Sequence, residues 1–279
     1  MAAANFFLFL IINFIFFLTV HLWSRRANQL LVSQLLSEFD YDDQHTITFI
    51  LGKPGDESRF LTPLLELLKE SPIIAAEELT IRALILSTNR QHDGSTAGTK
   101  PGIINTNNNA DMEPTNDDKV LKELDNNGME EVCQRYNIMC TVVDAFQEKH
   151  PEKFIEHMQA VPLIESYLMR DKSDLIITFD YFGGDGSTTG VAAYVAVTAL
   201  KKKIPDLKVW TLRSFTAWHR YLPIYSVLYH IASRPCCIRD ALFKSIENVQ
   251  RYPSQYWWYT PVVRIFDSYS YVNTFNVLS

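Results

Sequence analysis

The chain has 279 residues, of which 47% are hydrophobic and 21% charged, with a formal net charge of −6 and a pI of about 5.7. An acidic balance of this size supplies no basic field for a polyanion and excludes nucleic acid as a partner. The four cysteines, Cys133, Cys140 and the adjacent Cys236 and Cys237, make no spaced disulfide framework, which favours a cytosolic domain.

From Ala2 to Trp23 the chain is free of charge and rich in Phe, Leu and Ile, and it then meets Arg25 and Arg26. An apolar helix of roughly 20 residues spans a hydrocarbon core of about 30 Å, so residues 1–26 read as a transmembrane anchor with a basic flank. The flanking charge lies on the C-terminal side alone, which places the N-terminus in the lumen and the main domain in the cytosol. A cleaved signal peptide would need a basic start and a small-residue cleavage site, and neither is present. The chain also carries no Asn-x-Ser/Thr sequon.

After the anchor, strand and helix patterns alternate. Thr46–Leu51 is a β-branched apolar run, and the following stretch, residues 60–68, carries Leu61, Leu64, Leu65 and Leu68 at helical spacing. Further strands are expected at 80–86, 138–143, 174–180 and 208–212, with helices at 120–136, 154–169 and 189–200. This rhythm predicts an α/β domain over 45–214, a Rossmann-like, mostly parallel sheet with helices on both faces and ligands gathered at the carboxyl ends of its strands. Residues 87–118, rich in Asn, Gly, Thr and Asp, read as a disordered insertion. Residues 215–279 change character, with aromatic rings crowded among arginines. Such a segment suits either a surface lying on lipid headgroups or an ordinary core with amphipathic helices. Its longest apolar stretch, 222–232, is too short to span.

Two glycine-rich loops follow strands: Gly52-Lys53-Pro54-Gly55-Asp56-Glu57, and Tyr181 to Gly190 with Gly183-Gly184-Asp185-Gly186-Ser187 at its centre. Together with Phe60 and Pro63, the strand Thr178-Phe179-Asp180, the run Ala192–Val197, Thr211–Ser214, and Ser254-Gln255 with Trp257-Trp258-Tyr259, these loops resemble the PIG-L family. That family shares the LmbE-like deacetylase fold, and its members are zinc-dependent de-N-acetylases of N-acetylglucosaminyl-phosphatidylinositol in glycosylphosphatidylinositol (GPI) anchor synthesis. The resemblance implies the endoplasmic reticulum membrane, a glycolipid ligand or a protein partner of the same pathway.

The resemblance also implies which positions should carry the chemistry, and most of them have changed. The family's first loop reads His-Pro-Asp-Asp-Glu, with the His and second Asp on zinc and the first Asp as base. Here Lys53 replaces the His, Gly55 the base, and Asp56 alone persists. The family's His-x-x-His, which gives an oxyanion donor and the third zinc ligand, falls on Ser187 and Gly190. Its Glu-x-Arg matches Glu123-Leu124-Asp125. One carboxylate does not hold a catalytic zinc, and an ammonium has no lone pair to offer.

No cofactor is therefore expected, and a degenerate member that binds through Lys53, Asp56, Asp180, Asp185 and Ser187 is the favoured reading. Two alternatives stand beside it. In the first, the chain is an active zinc deacetylase with substituted ligands, drawn from His45, His92, His150, His157, His219 or His230. In the second, the stretch from Gly183 to Ser187 is the nucleotide loop of a lipid kinase-like protein. Restoring histidines at positions 53, 187 and 190 with an aspartate at 55 is expected to recover zinc.

Overall fold

The computed structural model describes residues 2–39, 45–71, 79–87, 116–143, 158, 160–170, 172–230 and 235–278, without the side chains of 2–19 and 116–122. Helix α1 (Ala2–Ser37) leads to β1 (Thr46–Leu51), α2 (Asp56–Phe60), α3 (Thr62–Glu70), β2 (Thr80–Ile85), α4 (Asn116–Tyr136) and β3 (Ile138–Val142). There follow α5 (Ala160–Arg170), β4 (Leu175–Phe179), α6 (Gly183–Gly186), α7 (Thr188–Lys203) and β5 (Val209–Leu212). The C-terminal part adds α8 (Ala217–Tyr221), α9 (Pro223–His230), β6 (Cys236–Ile238), α10 (Leu242–Val249), α11 (Thr260–Phe266), a 3-10 turn at Ser268–Ser270 and β7 (Val272–Val277).

The sheet has seven strands in the order β3-β2-β1-β4-β5-β7-β6. The first five run parallel, and β7 lies antiparallel to both β5 and β6. Strand β1 is buried along its whole length, as expected for a central parallel strand covered on both faces. Its side chains alternate: Ile47, Phe49 and Leu51 enter one core with Leu31, Leu35, Leu64 and Tyr269. Ile50 enters the other with Ile164, Ala193, Ala196 and Val197. The small residues of α7 let that helix lie close on the sheet.

Where the chain departs from its local pattern, a tertiary partner is responsible. The expected single helix over 60–68 is split at Leu61, where φ is −114° and ψ 1°, and Pro63 opens α3 because its missing N–H costs nothing in a first turn. Strands β6 and β7, in the tail that the sequence pattern sets apart, complete the sheet. The second residue of β7 is the buried Asn273. Its side chain accepts from Leu64 N at 3.2 Å and donates to Phe60 O at 2.6 Å, so it ties the strand to the α2–α3 junction.

Helix α1 does not stop at the basic pair but continues to Ser37, burying Ala27, Leu31, Val32 and Leu35 at helical spacing against the sheet edge. Asn28 exchanges two hydrogen bonds of 2.8 Å with the backbone of Ile238, covering the edge strand β6. Among the described residues, no helix is long and apolar enough to cross a membrane. The apolar run over 2–19 falls on residues whose side chains lie outside the described ones. The proposed insertion likewise lies outside them, except at Ser87, which is buried, and at 116–118, which form the start of α4.

The cysteine spacing, read as making no disulfide framework, nevertheless yields one bridge. Cys133 on α4 and Cys140 on β3 are disulfide-bonded, with Cα atoms 6.2 Å apart, because the turn at Asn137 folds the strand back along the helix. Cys236 and Cys237 are buried free thiols.

Candidate functional site

The two loops meet at the carboxyl edge of β1 and β4. A Cβ on Gly52 would stand 2.7 Å from Thr189 Oγ1 and 2.8 Å from Gly190 N, so the first loop rests directly on the first turn of α7. Ser187 caps that helix, its Oγ accepting from Gly190 N at 3.1 Å. That hydroxyl therefore holds the backbone of α7.

Asp56 sits at the centre, 1% exposed. Its Oδ2 accepts from Gly52 N at 3.1 Å and Lys53 N at 3.0 Å, while Oδ1 has no hydrogen-bond partner among the described residues. Burial raises its pKa to about 7, the charge of Lys53 pulls it back, and Asp185 and Glu57 push it further up. The Lys53 charge thus opposes the effect of burial at this carboxylate. Thr189 Oγ1 is also buried without a hydrogen-bond partner among the described residues.

The other candidate carboxylates are engaged within the protein. Asp180, at the end of β4, accepts from Ser214 N at 2.7 Å, from Ser214 Oγ, and from Phe182 N at 3.1 Å, and it braces the second loop against the end of β5. Asp185 pairs with Arg59 at 2.6 Å and accepts from Ser187 N at 3.1 Å. Asp125 accepts from the backbone and hydroxyl of Ser254, and Glu123 is exposed. Behind Arg59, the buried Arg264 donates to Arg59 O at 2.9 Å and pairs with Asp267 at 3.3 Å; burial lowers its pKa to about 10. Glu57, which the sequence reading left without a role, is buried under Tyr252, Ser58 and Gly55 N, and burial raises its pKa.

The positions that would have to change to restore the family's site are closed. Gly55 has φ +91°, and a Cβ there would fall on the Gln255 amide, 2.8 Å from Oε1. That amide is fixed by its donation to Pro54 O at 2.6 Å. The Ser254-Gln255 pair belonged to the resemblance, but nothing in its spacing showed that Gln255 fills the place of the base. At Gly190 a Cβ would collide with the carbonyl oxygen of Gly183 and approach Ser187 Oγ to 2.9 Å. A histidine there requires backbone movement, so the expectation that four substitutions recover zinc is not supported by the packing.

The zinc that the resemblance implies does not fit the described residues. Among the described residues no group of three His, Cys, Asp or Glu side chains could hold a metal ion. Of the surveyed histidines, His45 stacks on Phe39 with ring centroids 4.5 Å apart. His230 is fully buried beside Phe215 and His219, and burial lowers its pKa to about 4. His92, His150 and His157 lie outside the described residues.

The nucleotide-loop alternative loses its geometry as well. Gly183, Gly184 and Gly186 take positive φ of 66°, 82° and 86°. Their amides donate to Asp180 O, Ser214 Oγ and Phe182 O, each at 2.9 Å, rather than opening toward a phosphate.

No protein-family model and no curated protein matches the chain in sequence. Solved structures do match it in fold. The zinc-inhibited form of teicoplanin deacetylase Orf2 superposes with a TM-score of 0.51 at 9% identity, covering 84% of this chain and 99% of that one. The 4-carboxy-2-hydroxymuconate hydratase GalB from Pseudomonas putida gives a TM-score of 0.50 at 7% identity, covering 84% and 96%. A hydratase and a deacetylase share this architecture, so the fold alone does not select the reaction. The chain has the fold that these two enzymes share.

Proposed function

We propose that this chain is a membrane-anchored protein of GPI-anchor synthesis in which an LmbE-like deacetylase site has become a binding site. It takes a glycolipid of the N-acetylglucosaminyl-phosphatidylinositol type, or a protein of that pathway, at the endoplasmic reticulum membrane. The anchor is the apolar run before Arg25, which puts the N-terminus in the lumen and the α/β domain in the cytosol. On that side cytosolic glutathione would reduce the Cys133–Cys140 disulfide that the structure contains.

The observation that carries the reading is the packing at the two altered glycines. Gln255 occupies the place of the base at Gly55, and the Gly183 carbonyl blocks a side chain at Gly190. The remaining carboxylate, Asp56, has Lys53 as its cation where the family has zinc. Without a metal no water is activated, and without a base no proton leaves it, so hydrolysis by the family's route has no starting point.

The test uses the full chain purified in detergent, with metal content measured by mass spectrometry and acetate release and retention measured with N-acetylglucosaminyl-phosphatidylinositol. The expected result is zinc far below one per chain, no acetate, and retention of the glycolipid that Lys53→Met weakens. Stoichiometric zinc with chelator-sensitive acetate release would establish the active alternative. Absence of both acetate and retention would leave the protein partner as the ligand, to be sought by crosslinking in membranes.

A further inference from the structure

The direction of α1 relates the N-terminal run to the rest of the molecule. Its C-terminal end is tied to the amino edge of the sheet: Glu38 accepts from Lys208, just before β5, and from Trp210 Nε1 at 3.3 Å. Its middle is tied to the other end, because Asn28 is bonded to Ile238. Ile238 pairs with Val272, three positions past Phe275, the partner of the last residue of β5. Helix α1 therefore runs antiparallel to β5, and its N-terminal half leaves the domain at the carboxyl edge, where the two site loops lie. Trp23, five residues before Asn28, stands roughly 7 Å further along the helix axis.

The same edge carries the most exposed aromatic and aliphatic side chains of the C-terminal part. Helix α8 follows β5, α11 and the 3-10 turn lead directly into the start of β7, and Ser268 Oγ donates to His219 O at 2.5 Å, joining them. Helix α9 joins the same place through Ser226, which also donates to His219 O. Trp218 on α8 is 77% exposed, Ile224 on α9 69%, Trp258 in the turn before α11 85% and Phe266 on α11 52%. Phe182, in the second site loop, is 64% exposed. Isolated exposed apolar residues need no explanation, but a band of this kind on one edge does. Trp23 is itself 56% exposed and is followed by exposed Arg25 and Arg26, the order of residue types expected at a headgroup layer.

We infer that the carboxyl edge of the sheet lies on the lipid bilayer, with Trp218, Ile224 and Trp258 inserted at the headgroup level, so that the candidate site opens onto the membrane surface. The occupant is lipid, because the apolar segment that enters the membrane leaves the domain at this edge. A glycolipid headgroup would then reach the loops without leaving the bilayer. The inference rests on the membrane reading of the N-terminal run and not on the ligand.

The full chain, reconstituted into phosphatidylcholine vesicles containing phosphatidylinositol, tests it through an environment-sensitive fluorophore on single introduced cysteines. Trp218→Cys and Trp258→Cys probe the face. Met169→Cys is the control, since Met169 is 73% exposed at the amino edge, just before β4. Under non-reducing conditions Cys133 and Cys140 are bonded and Cys236 and Cys237 are buried, and the unsubstituted chain gives the background label. Labels at 218 and 258 are expected to shift to the blue and brighten at least twofold on reconstitution, with no change at 169. Chain that floats with vesicles but keeps water-like spectra at 218 and 258 would overturn the docking face and leave the anchor standing. Chain that does not float would overturn the anchor. Spectra that follow protein concentration in detergent but ignore lipid would assign the face to a second copy and overturn the inference.

Discussion

Replacing Asp56 by Asn should change how stability depends on pH more than it changes stability itself. Burial raises the Asp56 pKa from 3.8 to about 7, against the pull of Lys53. Between these values the folded chain holds a proton that the unfolded chain has lost. This group's contribution is therefore fully present below pH 4 and is lost as pH rises through 7. A shift of about 3 units at 1.36 kcal/mol each sets an upper bound of about 4 kcal/mol. In Asp56→Asn the side-chain oxygen still accepts from the Gly52 and Lys53 amides, so the fold is kept and the slope is removed. Urea unfolding of both proteins in detergent, from pH 4 to pH 8, reads the difference. The variant should gain on the parent as pH rises, by roughly 1 M in urea midpoint for an m-value of about 3 kcal/mol per M. Glu57 titrates in the same direction in both proteins and, apart from its charge coupling to Asp56, drops out of the comparison. Parallel curves would refute the buried, proton-binding Asp56.

Lys53→Met removes the cation that holds the Asp56 pKa down, so the titration seen in the same urea series should move above pH 7; an unmoved titration would place the Lys53 charge elsewhere. Gly190→Ala should destabilise by about 1–3 kcal/mol, because a Cβ there meets backbone that cannot turn aside, and the combined Lys53→His, Gly55→Asp, Ser187→His, Gly190→His protein should bind no stoichiometric zinc by metal analysis. Adding Gln255→Ala to those four should relieve the clash at position 55 but not the one at 190, and recovery of zinc would show that the loop yields. Alkylation of intact membranes followed by mass measurement should find Cys133 and Cys140 as thiols if the domain faces the cytosol, and an oxidised pair would place it in the lumen.

The chain's order of elements was readable from sequence because buried parallel strands are local runs of β-branched and aliphatic residues. Thr46–Leu51 and the strands at 80, 138, 175 and 209 announce themselves without reference to anything distant. Their parallel pairing also follows, and with it the meeting of the Lys53 and Ser187 loops at one edge. The departures from the family's motif at positions 53, 55, 187 and 190 were readable as well, because they are residue identities and need no fold. What the loops had become instead was not legible. Gln255 fills the space beside Gly55 from 200 positions away, and the α2–α3 junction satisfies the side-chain amide of Asn273 in β7. Asp180 and Asp185 read as free ligands until Ser214 and Arg59 engage them. Helix α1 reads as an anchor alone until its second half is found packed on β6. Periodicity and composition report which face a residue turns to the core, whereas the identity of a buried polar partner, and so the charge and room left in a site, is set by contacts between segments that only the folded chain brings together.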